Sequence, residues 1–147
     1  MKKKFFIILL ILVVISMVAI YAIYQYRTRL AETNKINKEY EQLYNINLLG
    51  TQVISLINKT IDLNEKHNIE KNNNGIYIDN GENSIKISIN FIYKNGIKTV
   101  EMEEIYQNGV EAFIKSYSTA SFNCSKISYH EKTKNVKELT LDEVTNQ

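Results

Sequence analysis

The sequence predicts an α+β chain: an N-terminal transmembrane helix continuing into a helical stalk, then a small domain of antiparallel sheet packed against two helices. Three observations carry that expectation. An uncharged apolar run opens the chain; apolar residues recur at helical spacing in two later segments; and alternating apolar residues flank two Asn-Gly dipeptides between them.

Lys2, Lys3 and Lys4 come first. Phe5 then opens, and Tyr24 closes, a stretch without a charge (FFIILLILVVISMVAIYAIY). At about 1.5 Å per residue a helix over it is roughly 30 Å long, the thickness of a bilayer's hydrocarbon core. The lysines would also suit the n-region of a cleaved signal peptide, but such apolar regions are usually shorter. The small-residue exit, Ile20-Tyr21-Ala22, carries a bulky Ile where cleavage wants a small side chain, and no Cys lies nearby for lipid attachment. An uncleaved signal-anchor is the expectation. Arg27, Arg29, Lys35 and Lys38 follow the span, so the flanking charge is nearly balanced. A basic tail before an N-terminal span still reads as a translocation signal. The expected location is therefore the cell membrane, single-pass, with the N-terminus cytoplasmic and the C-terminal domain extracytoplasmic. Tyr21, Tyr24 and Tyr26 would then lie at the outer interface, which favours amphipathic rings. The division expected is a basic tail (1–4), the span (5–24), a helical stalk and linker (25–50) and the α+β domain (51–147).

About 120 residues follow the span, enough for one small domain with a modest core. In the stalk Ile36, Tyr40, Leu43 and Tyr44 form a weak stripe, read as a solvated stalk leaning on its own domain. After NINLLG (45–50), Thr51 is placed to cap a helix running to about Lys66, with Val53, Leu56, Ile57, Thr60 and Ile61 on one face. KNNNG (71–75) is a loop. Asn80-Gly81 and Asn95-Gly96 both suit two-residue type I′ turns, and together they predict a three-strand meander. With two-residue loops, Ile85 pairs with Ile76, Phe91 with Val100 and Ile89 with Met102. Ile85, Ile87, Ile89 and Phe91 share the buried face; Lys86, Ser88 and Asn90 point to water.

A further helix is expected from Glu103 to Tyr117, its acidic start matching the helix dipole. Met102, Ile105, Tyr106, Gly109, Val110, Phe113, Ile114 and Tyr117 form its stripe, laid across the meander, with Gly109 read as a close-packing position. A C-terminal hairpin closes the domain, Phe122 to His130 and Val136 to Val144. Phe122 and Cys124 have one parity, Ile127 and Tyr129 the other, so a bulge near Ser125 or Lys126 is required to bring all four to one face. With it, Ile127 meets Leu139 and Cys124 meets Leu141.

Charge narrows the function classes. The net charge of +2, less the three N-terminal lysines, leaves −1 for the remainder. That is not the basic surface nucleic-acid binding needs, so no nucleic-acid partner is expected. Cys124 is the single cysteine, which excludes internal disulfides and multi-cysteine zinc sites. His67 and His130, the two histidines, fall at a helix end and a strand end, without metal-ligand spacing. The bulge sets Cys124 and His130 on opposite faces, against a nucleophile and base pair; Cys124 reads as a small buried hydrophobe. Asp79-Asn80-Gly81-Glu82 lacks the alternating ligands of a calcium loop. Glu103 and Glu104, adjacent in sequence, point in different directions on a helix and read as a solvated helix start, not an acid/base pair. No catalytic, cofactor-binding or metal residue is assigned and no cofactor is expected.

The layout, a basic tail and apolar span running into a stalk and small antiparallel domain, is similar in outline to type IV pilins and pseudopilins. The processing motif of that family is absent: Lys4 rather than Gly precedes Phe5, and Leu9 stands where the family has Glu. The Ile, Asn and Lys bias also resembles uncharacterised single-span membrane-anchored proteins of AT-rich Gram-positive bacteria. These resemblances imply a cell-surface setting. The functional expectation is a non-enzymatic, membrane-anchored extracytoplasmic protein acting through a membrane or cell-surface protein partner, as an accessory subunit of a membrane complex or a pilin-like structural subunit. The alternative is an anchored sensor binding a small ligand or peptide at a sheet edge or pocket.

Overall fold

The computed structural model describes residues 2–144; Met1 of the expected basic tail and residues 145–147 of the expected domain lie outside the described residues. The class is α+β, with a long N-terminal helix, further helices and one five-stranded, mostly antiparallel sheet. Two compact units divide at Ile36.

The first unit is the body of α1 (Lys2–Glu41), a 40-residue helix about 60 Å long. From Phe5 to Tyr26 its large apolar side chains are exposed on every side, and the helix is long and apolar enough to cross a membrane. Ser16 sits among them and donates its hydroxyl to the Val13 carbonyl at 2.7 Å. Its polar group is therefore satisfied inside the helix, the arrangement hydrocarbon demands.

The second unit begins at Asn37, so the end of α1 belongs to it. Tyr40 is fully buried and shares a 2.7 Å hydrogen bond with Thr60; burial pushes its hydroxyl up to about 12. Asn37 holds residues 134–136, donating to the Lys134 carbonyl and accepting from the Val136 N–H. Glu39 pairs with Lys59. The expected linker 45–50 is also structured. It supplies β1 (Asn47–Leu49), which lies antiparallel to β4 (Ser121–Tyr129).

The helix α2 (Gly50–Lys66) starts one residue before Thr51. Gln52 Oε1 accepts the Leu49 N–H at 2.8 Å and closes the helix start in place of a hydroxyl cap. Gly50 is the close-packing glycine: a Cβ there would stand 1.8 Å from the Tyr117 carbonyl oxygen. Val53, Ile57, Thr60 and Ile61 are buried as the spacing predicts, and Asn64 extends the face. Asn64 donates to the Ile85 carbonyl at 2.7 Å and accepts the Ile85 N–H at 2.9 Å, pinning the chain as it enters β2 (Lys86–Tyr93).

The three-strand meander does not form. Residues 76–79 fold back on 70–72, through the Ile78 N–H to the Glu70 carbonyl and a Lys71–Tyr77 bridge, and bury Tyr77. Ile85 therefore has no strand partner at Ile76. Asn80 explains why: its Oδ1 accepts the N–H groups of Glu82, Asn83 and Ser84, winding 79–84 into a side-chain-capped loop. The second hairpin exists, between β2 and β3 (Gly96–Glu101), two residues out of the expected register. Its central residues are Lys94 and Asn95, with Gly96 beyond them at φ 127°, so Ile89 meets Val100 and Phe91 meets Lys98. A shift of two preserves the faces. Ile85, Ile87, Ile89 and Phe91 are all buried.

The single helix expected over 103–117 is broken into α3 (Met102–Asn108) and α4 (Val110–Tyr117). Gly109 adopts φ 95°, ψ 117°, and a Cβ there would touch nothing. Conformation, not close packing, is what the glycine supplies. The break lets α3 rest on β2 and β3 while α4 turns onto α2. The stripe is accordingly split: Met102, Ile105 and Phe113 are buried, whereas Tyr106 and Ile114 are exposed.

The C-terminal hairpin follows the parity argument. Residue Ser125 bulges between Cys124 and Lys126, Cys124 opposes Leu141 and Ile127 opposes Leu139 on β5 (Val136–Val144). A second irregularity, between Ser128 and Tyr129, leaves Tyr129 out of the core, its hydroxyl on Glu41. The hairpin joins the other strands in one sheet of order β1-β4-β5-β2-β3, with β5 parallel to β2. Phe91, Phe113, Tyr117 and Phe122 meet with ring centroids 4.8–6.3 Å apart and seal α4 to the sheet.

Candidate interaction face

The side chains considered for chemistry are not brought together. Cys124 is fully buried, and burial pushes its thiol up to about 11, so it stays protonated at neutral pH. Its sulfur contacts the Lys126 carbonyl at 3.9 Å. His130 is buried elsewhere, with Nε2 donating to the Ser84 carbonyl at 2.8 Å and Nδ1 3.6 Å from Asp79. His67 ends α2. Glu103 corrects the expectation of a solvated helix start: it is buried, accepts the Tyr77 N–H through Oε1, and leaves Oε2 without a partner. Glu104 is exposed. Among the described residues no group of three or more His, Cys, Asp or Glu could hold a metal ion.

Asp79 ties the capped loop to the C-terminal hairpin. Its carboxylate accepts the Gly81 N–H and the Ser84 hydroxyl and pairs with Lys137 at 2.7 Å. Lys137 first, then the Gly81 N–H, hold the carboxyl down to about 2, against an ordinary 3.8. A folded-state value below the unfolded one stabilises the fold above the unfolded value and loses that contribution as pH falls through the folded one. Asp79 is part-exposed, so the effect is small. The expected result is that between pH 4 and 2 the thermal midpoint of the wild type falls more steeply than that of Asp79→Asn; parallel curves would refute the linkage.

The helices α2, α3 and α4 all pack on the face of the sheet that carries Ile87, Ile89, Leu139 and Leu141. Among the described residues no helix covers the other face, and its side chains form rows across the strands; Ser88, expected to point to water, is buried there between its neighbours, and Lys86 and Asn90 are half-buried. In one row Asn123 donates to Asn47, Asn90 donates to Asp142 at 2.6 Å, and the Thr99 hydroxyl donates to Asn90 at 2.7 Å. A second row runs Lys126, Thr140, Ser88 and Glu101. Ser88 sits 3.1 Å from a Glu101 oxygen and 2.9 Å from one of Glu138, with one hydroxyl proton for both. Burial, then the nearby Glu103 and Glu138, raise the Glu101 carboxyl despite the Ser88 bond.

At one end of this face a third row is apolar. Leu49 pairs with Ser121 and Ser121 with Val144; the β2–β5 pairing ends at Asn90–Asp142, and Ile92, two residues on, gives its N–H to the Glu143 carboxylate at 3.0 Å, next to Val144 in the chain, and pairs with Ile97. Leu49 is 50% exposed, Val144 36%, Ile92 43% and Ile97 68%. These four large aliphatic side chains stay exposed at the same end of the open face, with Ser121 between Leu49 and Val144. The row ends at β3, whose outer edge pairs with no strand among the described residues.

The sequence carried a signal for this row that the alternation argument discarded. Ile92 and Ile97 are out of phase with the buried set, and Leu49 with buried Leu48. An apolar residue of the wrong parity is a surface residue whose exposure needs another reason. Elsewhere, Glu41, Tyr44, Ser125, Lys126, Ile127 and Tyr129 line a cleft of about 380 Å³ beside the bulged part of β4. In comparisons with protein-family models, curated protein sequences and solved structures, nothing matches this chain.

Proposed function

We propose that this chain is a single-pass membrane protein, held as a signal-anchor by residues 5–24 with its N-terminus cytoplasmic, whose extracytoplasmic domain works through protein contacts and catalyses no reaction. It serves as an accessory subunit of a membrane complex or, in keeping with its layout, a pilin-like structural subunit. The observation that carries the reading is the exposed row of Leu49, Val144, Ile92 and Ile97 on an uncovered sheet face. The fully buried core of a protein interface is more apolar than the rest of the surface, which is what such a row offers.

The test is photo-cross-linking in native membranes, with a photoreactive residue at position 97 or at position 62 on the exposed side of α2. An adduct of discrete mass from 97 and none from 62 is expected; no adduct from 97 would overturn the reading. Protease added to intact cells is expected to remove the domain, and its survival there with cleavage after permeabilisation would reverse the orientation.

A second reading, an anchored sensor for a small ligand or peptide, is favoured by the cleft between Tyr44 and Tyr129, which falls in the size range of ligand pockets. A rise in thermal midpoint with cell-wall fragments or peptides, abolished by Tyr129→Ala, would support it over the contact reading.

A further inference from the structure

Resting on the protein-contact reading, we propose that the partner adds an extended, antiparallel strand to the free edge of β3, and that β3 dictates the chemistry of that strand. A sixth strand beside β3 prolongs each of the rows by one residue, and directly opposed residues share a face. Opposite Ile97, an apolar side chain continues the Leu49, Val144, Ile92 row and covers the most exposed aliphatic residue of the domain. Opposite Thr99, a polar residue continues the amide and hydroxyl row. Glu101, at the end of the Lys126, Thr140, Ser88 row, calls for a basic partner. On the helix side of the sheet Lys98 is exposed, forms no ion pair among the described residues, and calls for an acid.

Read from N- to C-terminus, the antiparallel partner strand is therefore basic, any residue, polar, acidic, apolar. A second copy of β3 does not prolong the rows: paired about Thr99 it sets Ile97 against Glu101 and Lys98 against Val100, and in the register that sets Lys98 against Glu101 it sets Thr99 against Val100 and brings the helix side of one sheet level with the open side of the other. The charges on the edge leave it open to a strand that carries the opposite charges in this register. Burial of Ile97 supplies the attraction, and Lys98 and Glu101 supply the register and the choice of partner.

The experiment uses the full chain in detergent micelles, labelled for amide NMR, and two capped heptapeptides of the same composition. TKVTDIT places Lys opposite Glu101, Asp opposite Lys98 and Ile opposite Ile97; TDVTKIT exchanges the two charges. TKVTDIT is expected to shift the amides of residues 96–101 and to bind about fivefold tighter than TDVTKIT at low salt, the ratio falling as salt is added. Lys98→Glu, an exposed substitution, is expected to abolish or reverse that preference while retaining the amide pattern of the folded domain. Equal binding of the two peptides, shifts confined to residues outside β2 and β3, or a preference unchanged by Lys98→Glu would each overturn the proposal. The peptide titration and the cross-link at position 97 fail independently. An adduct without peptide discrimination removes strand addition and leaves the contact reading; peptide discrimination without an adduct removes the contact reading.

Discussion

Phe122→Ala is expected to destabilise the domain by about 4 kcal/mol. The ring is fully buried on β4 and lies 5.9 Å from Phe91, 6.0 Å from Phe113 and 6.3 Å from Tyr117 by centroid. Its removal takes away the burial of an aromatic side chain, three ring contacts, and the wedge between α4 and the sheet. Collapse around the cavity is restricted, because the Tyr117 carbonyl already rests against Gly50 and α4 cannot move inward. Thermal unfolding should show the loss as a drop on the order of 15–25 °C for a domain of this size. Phe122→Leu, which refills most of the volume, should recover more than half of it. A drop of less than 5 °C for the alanine variant would mean the aromatic cluster is not the seal described.

Asn64→Ala is expected to cost about 2–4 kcal/mol, because it strands two buried backbone groups at once, the N–H and the carbonyl of Ile85. Asn64→Leu should do no better although it is apolar and closer in size, since the lost term is hydrogen bonding and not packing. Hydrogen exchange offers the specific readout. The Ile85 amide should lose protection by a larger factor than amides in β4, because the substitution frees the entry to β2 directly. Equal loss at both positions would reduce the clamp to a generic core contact.

These two residues also mark what could be read in advance. Phe122, Cys124, Ile127 and Tyr129 cannot share a face without a bulge, and parity within one hairpin placed it near Ser125 or Lys126 and aligned Cys124 with Leu141. The buried set of β2 was legible for the same reason: alternation is local, and a register error of two residues leaves it intact. Asn64 was not legible. In NEK it has the look of any solvated helix residue, and only the arrival of Ile85 from 21 positions away shows what it does. The Asn80-Gly81 hairpin failed where two local solutions compete, a type I′ turn against capture of three N–H groups by the Asn80 side chain, and the capped loop wins here. At Gly109 the sequence showed a missing side chain but not whether space or torsion required it. The candidate face was the least legible part, since it depends on β5 running parallel to β2, a pairing with no signature in either strand.

That pairing bears on the order in which the domain is assembled. The last of the five strands along the chain is the middle one in space, with β4 on one side and β2 on the other. Until residues 136–144 have been made, the β2–β3 hairpin and the β1–β4 pair are two fragments without a shared sheet, and α2 and α4 have half a floor to pack on. On the topology proposed above, the N-terminus stays behind and the segment after the span crosses in chain order, so the domain cannot close its core early and jam the passage. The cooperative step waits for β5, and folding becomes an event of the far side of the membrane.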